Sequence, residues 1–215
     1  MPTGRPRLTK LAGRVALVVG AASDFGRRAA LELAQQGARL ALNDLLPDGV
    51  EQLAAEIQAA GDDAAAYPDD LSKKLALQTT LEHLLTDYER LDILVFASSV
   101  HPRDPILDMD EWDWRHALDL NLNAAFLVMQ SVGRVMRAQG GGLMVFAIPE
   151  GSDSAAGATG AAALEALAGV AALQFAEHAI RVHSLTKSNT QYALRKLSDC
   201  IDLAFSLDKK EPSHG

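Results

Sequence analysis

A single cysteine, Cys200, stands in 215 residues, so no disulfide can form within the chain and nothing points to an oxidising compartment. Excess positive charge is missing as well. The formal net charge of −8 leaves no basic field to attract nucleic acid or an anionic membrane, and neither is expected as a partner. No stretch approaches the length of a membrane span, and the apolar run from Val15 to Gly20 is strand-sized. Arg5, Arg7 and Lys10 are not followed by the apolar run of a signal peptide, so residues 1–10 read as a flexible tail and the cytoplasm as the default location. The histidines at 83, 101, 116, 178, 183 and 214 have no metal-ligand spacing, and no metal is expected. Internal repeats and linkers are also lacking, and the length suits one domain with a sizeable core. A last absence bears on chemistry: from residue 91 to residue 180 there is neither a tyrosine nor a lysine.

What is present alternates between two periods. Val15-Ala16-Leu17-Val18-Val19 is a continuous apolar run, the pattern of a strand buried on both faces of a parallel sheet. A helical pattern over 27–36 follows and stops at Gly37. Strand patterns at 39–42, 63–67 and 93–97 then alternate with helical patterns at 49–60 and 75–88. Asp108-Met109-Asp110-Glu111 has capping-box spacing and predicts the start of one long helix reaching Gln139. A strand over 143–148, a helix over 156–178, a short strand over 180–182 and a helix over 190–205 complete the pattern. Residues 208–215 form a polar tail, leaving 11–207 as the domain. Such alternation predicts an α/β, doubly wound parallel sheet of Rossmann-like form, because parallel neighbours require crossovers.

The segment Gly20-Ala21-Ala22-Ser23-Asp24-Phe25-Gly26 joins the first strand to the first helix. A strand, then glycines, then a helix start sets backbone N–H groups against a pyrophosphate at the positive end of the helix. The turn resembles the Gly-x3-Gly-x-Gly turn of the short-chain dehydrogenase/reductase family, with Asp24 in place of the middle glycine. The resemblance continues in order from about residue 10 to 186. Asp44 stands at the family's ribose position, and Asp70-Leu71 resembles its adenine-contacting pair. Ala97 lies where the family has Asn-Asn-Ala-Gly, here Phe96-Ala97-Ser98-Ser99. Asn121 matches its fourth-helix asparagine. The resemblance implies a nicotinamide cofactor held by Gly20, Ser23, Asp24, Phe25, Gly26, Asp44, Asp70, Leu71 and Ala97. Asp44 accepts from a ribose 2′-hydroxyl and repels a 2′-phosphate, which favours NAD over NADP. Asp24 opposes binding: at 6–8 Å and an effective dielectric near 20, it repels each phosphate charge by roughly 2–3 kcal/mol. Weakened or lost NAD binding is the expectation.

The family's reaction needs a tyrosine to move the proton and a lysine four residues on, along one helix face, to lower the tyrosine's pKa. Aligning on Ala162-Ala163-Leu164-Glu165-Ala166-Leu167 puts Gly157 at the tyrosine position and Ala161 at the lysine. The serine position falls near Pro149, with Ser152 and Ser154 nearby. Tyr192 and Lys196 match the spacing but follow the sixth strand. Lys187-Ser188 replaces the family's Pro-Gly, and the sequence beyond it reads as a shortened C-terminal end.

These substitutions predict a protein that has lost catalysis and serves as a non-catalytic subunit. The partner is a second copy or an active relative, met through the helices around 110–139 and 156–178, where Leu164, Leu167, Val170 and Leu173 recur at helical spacing. The alternative is an active NAD-dependent oxidoreductase with a non-standard site, moving hydride between alcohol and carbonyl carbons. A second alternative is an NAD-sensing module.

Overall fold

The computed structural model describes residues 10–149, 153–187 and 189–205. The two expected tails (save Lys10), Ser152 and Ser188 lie outside them. Six strands form one parallel sheet in the order β3-β2-β1-β4-β5-β6. They are β1 (Val15–Val19), β2 (Arg39–Asn43), β3 (Ala64–Tyr67), β4 (Ile93–Phe96), β5 (Gly142–Ile148) and β6 (Ile180–Thr186). The helices are α1 (Asp24–Gln35), α2 (Pro47–Ala59), α3 (Lys74–Tyr88), α4 (Glu111–Leu118), α5 (Ala124–Gln139), α6 (Ala155–Phe175) and α7 (Thr190–Phe205). Strand order reverses beside β1, which is hydrogen-bonded to both β2 and β4. In such sheets a crevice opens at that reversal, outside the carboxyl ends of the strands.

Every side chain of β1 is buried, and strand alternation divides them between two cores. Ala16 and Val18 pack with Leu33 of α1, Leu53 of α2 and Leu197 of α7. Val15, Leu17 and Val19 pack with Leu84 of α3, Val128 of α5 and Leu164 of α6. Continuous apolar runs are what a strand covered on both faces requires. At the amino edge of the sheet Asp92 is buried and accepts from Arg14 at 2.8 Å, Arg90 at 2.5 Å and the Val15 N–H at 2.9 Å.

Local chemistry moves several boundaries from those expected. Ser23 caps α1, accepting from the Gly26 N–H at 3.1 Å, so the helix opens at Asp24 rather than at residue 27. Asp110, not Asp108, caps α4, accepting from the Trp112 N–H at 2.6 Å. The predicted long helix is divided: a π-helical turn, Asp119–Asn123, separates α4 from α5. β6 runs four residues past the expected three, because alternating polar side chains on an edge strand leave no apolar run to read.

The helical segment Ala155–His178 is long and apolar enough to cross a membrane, contrary to the sequence expectation. Its small residues make it apolar without bulk, and it lies on the sheet: Gly157, Gly160, Leu164, Ala168 and Ala171 are buried, and it contacts β5 and β6.

Candidate active site

The turn after β1 folds tightly on itself. The Ser23 hydroxyl donates to the Gly20 carbonyl at 2.7 Å. A Cβ on Gly26 would lie 2.1 Å from that carbonyl oxygen, and one on Gly20, whose φ is +80°, would lie 2.5 Å from the Ser98 nitrogen. Only glycine fits either position. The turn therefore rests directly on the backbone that follows β4, and the first-turn amides of α1 have no helical carbonyl to bond. Those amides and the positive end of α1 fit a pyrophosphate.

The crevice beside this turn is lined by Gly20, Asp44, Asp70, Leu71, Ser98 and Leu120, among others. Asn43, buried at the end of β2, donates to the carbonyls of Tyr67 at 2.7 Å and Asp69 at 2.9 Å, fixing the rim. Asp44 accepts from the Ala22 N–H at 2.9 Å and the Leu46 N–H at 3.3 Å. Asp70 closes a local turn on Ser72, accepting from its N–H at 3.0 Å and its hydroxyl at 2.6 Å. Phe25, Leu71 and Ala97 are buried, supporting the crevice from beneath.

Asp24 is engaged away from the turn. Its exposed carboxylate accepts from Arg28 one helical turn on at 3.0 Å, and from the Thr190 hydroxyl at the start of α7 at 3.1 Å. The Arg28 guanidinium partly offsets the charge that the sequence sets against cofactor binding.

On the far side of the crevice, Asn121 sits in the π-helical turn and grips Val100 twice. Its Oδ1 accepts from the Val100 N–H, and its Nδ2 donates to the Val100 carbonyl, both at 2.7 Å. Single π turns recur at functional sites because they re-aim side chains. Gly160 of α6 passes close by: a Cβ there would lie 3.1 Å from the Asn121 Cβ. Gly157 is buried in the first turn of α6, its N–H donating to the Ser154 cap at 3.3 Å, and Ala161 packs into the core. Small residues in this helix thus serve close packing within the chain.

Tyr192 and Lys196 lie on the outer face of α7. The ring is more than half exposed under the Lys196 amine at 5.6 Å, and that amine pairs with Asp199 at 3.6 Å. Tyr67 donates to Asp87 at 2.6 Å and Tyr88 to the Leu40 carbonyl at 3.0 Å. Burial pushes both phenols above their ordinary range, so neither is poised for proton transfer.

A cation reaches the segment after β4, next to the crevice-lining Ser98, from elsewhere. Lys187 follows β6, its N–H donating to the Ile148 carbonyl at 2.8 Å at the end of β5. Its amine donates to the Ala97 carbonyl at 3.1 Å and to Ser99 Oγ at 3.0 Å. Burial lowers its pKa from the ordinary lysine value to about 8. His101 stands nearby with Nδ1 buried and making no hydrogen bond; burial and then the Lys187 charge lower its pKa, so the ring is neutral at pH 7. Motif spacing could not find this group, since Lys187 and Ser99 are 88 residues apart. The available signal was position: each lies within three residues of the carboxyl end of a parallel strand.

The fold is that of a doubly wound α/β protein with a crevice at the reversal of strand order. The family model for short chain dehydrogenase matches residues 14–197, and the chain belongs to that family. D-threitol dehydrogenase of Mycolicibacterium smegmatis is 37% identical over 138 residues, which are 63% of this chain and 52% of that enzyme; the chain thus spans about half of its relative's length. A structure of NAD+-bound xylitol dehydrogenase is 30% identical, with a TM-score of 0.79 over 82% of this chain and 70% of the other. A metagenomic short-chain oxidoreductase in complex with NADP is 25% identical, with a TM-score of 0.84 over 95% of this chain and 96% of the other.

These relatives overturn the expectation of a non-catalytic subunit. They are named dehydrogenases and oxidoreductases, and two carry a bound nicotinamide dinucleotide. The expectation rested on Gly157 and Ala161, both on one helix, α6. The inference failed because a sheet gathers the ends of several strands at one crevice, and a missing group on α6 says nothing of groups arriving from β4 and β6.

Proposed function

We propose that this protein is an NAD-dependent oxidoreductase interconverting an alcohol and a carbonyl on a small polyol or keto-sugar. The observation that carries the reading is the contact of the Gly20–Gly26 turn with Ala97 and Ser98, which joins a pyrophosphate cradle to a polar strand-end pocket. Bound nicotinamide supplies the hydride in one direction and takes it in the other. The chain's own residues bind and orient: the α1 amides hold phosphate, Asp44 meets the ribose, and Asn121 fixes the floor formed by Val100. The substrate class rests on the polyol names of two relatives. The cytoplasm, where NAD is supplied and Cys200 stays reduced, is the location we favour.

The test is a turnover screen of tetritols, pentitols and their keto forms with NAD(H) and NADP(H). Turnover with at least one of them and NAD(H) supports the reading; none across the panel contradicts it. Asp44 sets cofactor choice, so the wild type is expected to bind NAD at least tenfold tighter than NADP. Asp44→Ser is expected to narrow that ratio to below threefold, as calorimetric titration of each nucleotide would read.

We also propose that the protein pairs with a second copy through α5 and α6. A groove between these helices is lined by Phe126, Gln130, Leu167, Val170 and Gln174, and Val170 and Leu173 are exposed while Leu164 is buried. Apolar exposure concentrated on one helix face supports such an interface.

A further inference from the structure

We propose that Ser99 and Lys187 are the proton-transfer pair of the crevice, with Ser99 Oγ bonded to the substrate oxygen and the Lys187 amine exchanging the proton behind it. The assignment rests on the oxidoreductase reading above and names the groups that complete its chemistry.

The geometry gives each atom one role. Lys187 Nζ donates to the Ala97 carbonyl at 3.1 Å and to Ser99 Oγ at 3.0 Å. Ser99 Oγ, accepting from the amine, keeps its own O–H to donate to a substrate oxygen. Ser99 follows the Ala97–Ser98 backbone on which the Gly20 turn rests, and precedes Val100, which Asn121 clamps, so the backbone that carries the hydroxyl is fixed on both sides. A mere tie between strand ends would be served by a neutral side chain. An ammonium drawn partly out of water without a carboxylate is costly, and among the described residues no carboxylate pairs with the half-buried Lys187. That cost appears as a pKa brought down to about 8 by burial, close to where a general acid and base works best at neutral pH. From the segment after β4 the titratable group coupled to the amine is His101, neutral at pH 7. From α1, Asp24 is engaged by Arg28 and Thr190.

In reduction, as the carbonyl carbon gains hydride, its oxygen takes the Ser99 hydroxyl proton. Ser99 Oγ simultaneously takes an N–H proton from the Lys187 ammonium, which is left as a neutral amine and recovers a proton from solvent. In oxidation the alcohol proton passes to Ser99 Oγ while the Ser99 proton passes to the neutral amine, and carbon loses hydride to the cofactor. Reduction should therefore fall, and oxidation rise, as pH climbs through about 8.

The test combines variants with a direct titration of the amine. In Lys187→Arg, which keeps charge and donors but cannot release a proton, kcat is expected to fall at least 100-fold with the NADH Kd changed less than threefold. The pH limb near 8 should vanish. Ser99→Ala should lose kcat to a similar degree. Reductive methylation with 13C-formaldehyde should give one dimethyl-lysine NMR signal, absent in Lys187→Arg, that titrates near pH 8 and moves when NADH is added. A signal titrating with the bulk lysines near 10.5, or untouched by NADH, overturns the proposal. So does Lys187→Arg with unchanged kcat and pH profile, and that result would leave the oxidoreductase reading standing. Failure of the wild type to bind NADH removes both.

Discussion

Gly26→Ala is expected to destabilise the protein by about 3 kcal/mol or more, a fall in Tm of about 6–12 °C for a chain of this size. The added Cβ would lie 2.1 Å from the Gly20 carbonyl oxygen and 3.0 Å from Ser23 Oγ. Backbone cannot yield as a flexible side chain can, so the turn must open and Ser23 must give up its cap. Opening also lifts Gly20 from Ser98, so any NAD-dependent rise in Tm should be lost with it. Gly169 provides the control. It lies in α6, where an added methyl group would meet nothing within 4 Å, and Gly169→Ala should stabilise by about 0.5–1 kcal/mol through helix propensity and unfolded-state entropy. Calorimetric scans of both variants, with and without NAD, check the contrast; equal behaviour would mean that the turn is not packed as described.

Asp92→Ala should cost about 3 kcal/mol at pH 7, again a fall in Tm of about 6–12 °C, without altering nucleotide affinity. The carboxylate receives Arg90, the Val15 N–H and Arg14 at the amino edge of the sheet, the opposite end from the crevice. Removing it leaves the Val15 amide without its acceptor and takes from two guanidinium groups the charge on which they converge. Burial alone would raise the Asp92 pKa, but the bonds from Arg90, Val15 and Arg14 outweigh it and hold the carboxyl below its ordinary value of 3.8. A carboxyl lowered by folding stabilises fully above its unfolded pKa and loses that contribution as pH falls through the folded value. The gap in Tm between wild type and Asp92→Ala should therefore be constant from pH 7 to about 5 and close below about 4. A gap unchanged down to pH 3 would place the effect in packing.

Much of the architecture was legible because burial on both faces writes unbroken apolar strands such as Val15–Val19, and glycines such as Gly37 and Gly61 punctuate the helices. The edge strand β6 was half hidden: Arg181, His183, Ser184 and Thr186 break its run, and its extension comes from pairing with β5 out to Ile148 and Thr186. The π turn at Asp119–Asn123 was invisible, since no residue type announces it; in the fold it packs against α6 at Gly160. Of the crevice, the local parts could be read along the chain: Gly20, Ser23, Gly26 and Asp44 act within 24 residues of one another. Lys187 and Ser99 could not, because they meet only when β4 and β6 deliver their ends to the same edge. Reasoning from motif positions on one helix therefore led to the wrong conclusion about catalysis.

The central claim is that the β1–β4 crevice is a working NAD site, and a thermal-shift titration of the purified chain tests it most directly. NAD at 100 times its Kd should stabilise by about 2.7 kcal/mol, a Tm rise of about 5–11 °C, with NADP giving a distinctly smaller rise at equal concentration. A melting temperature indifferent to both nucleotides up to millimolar concentration would contradict the account.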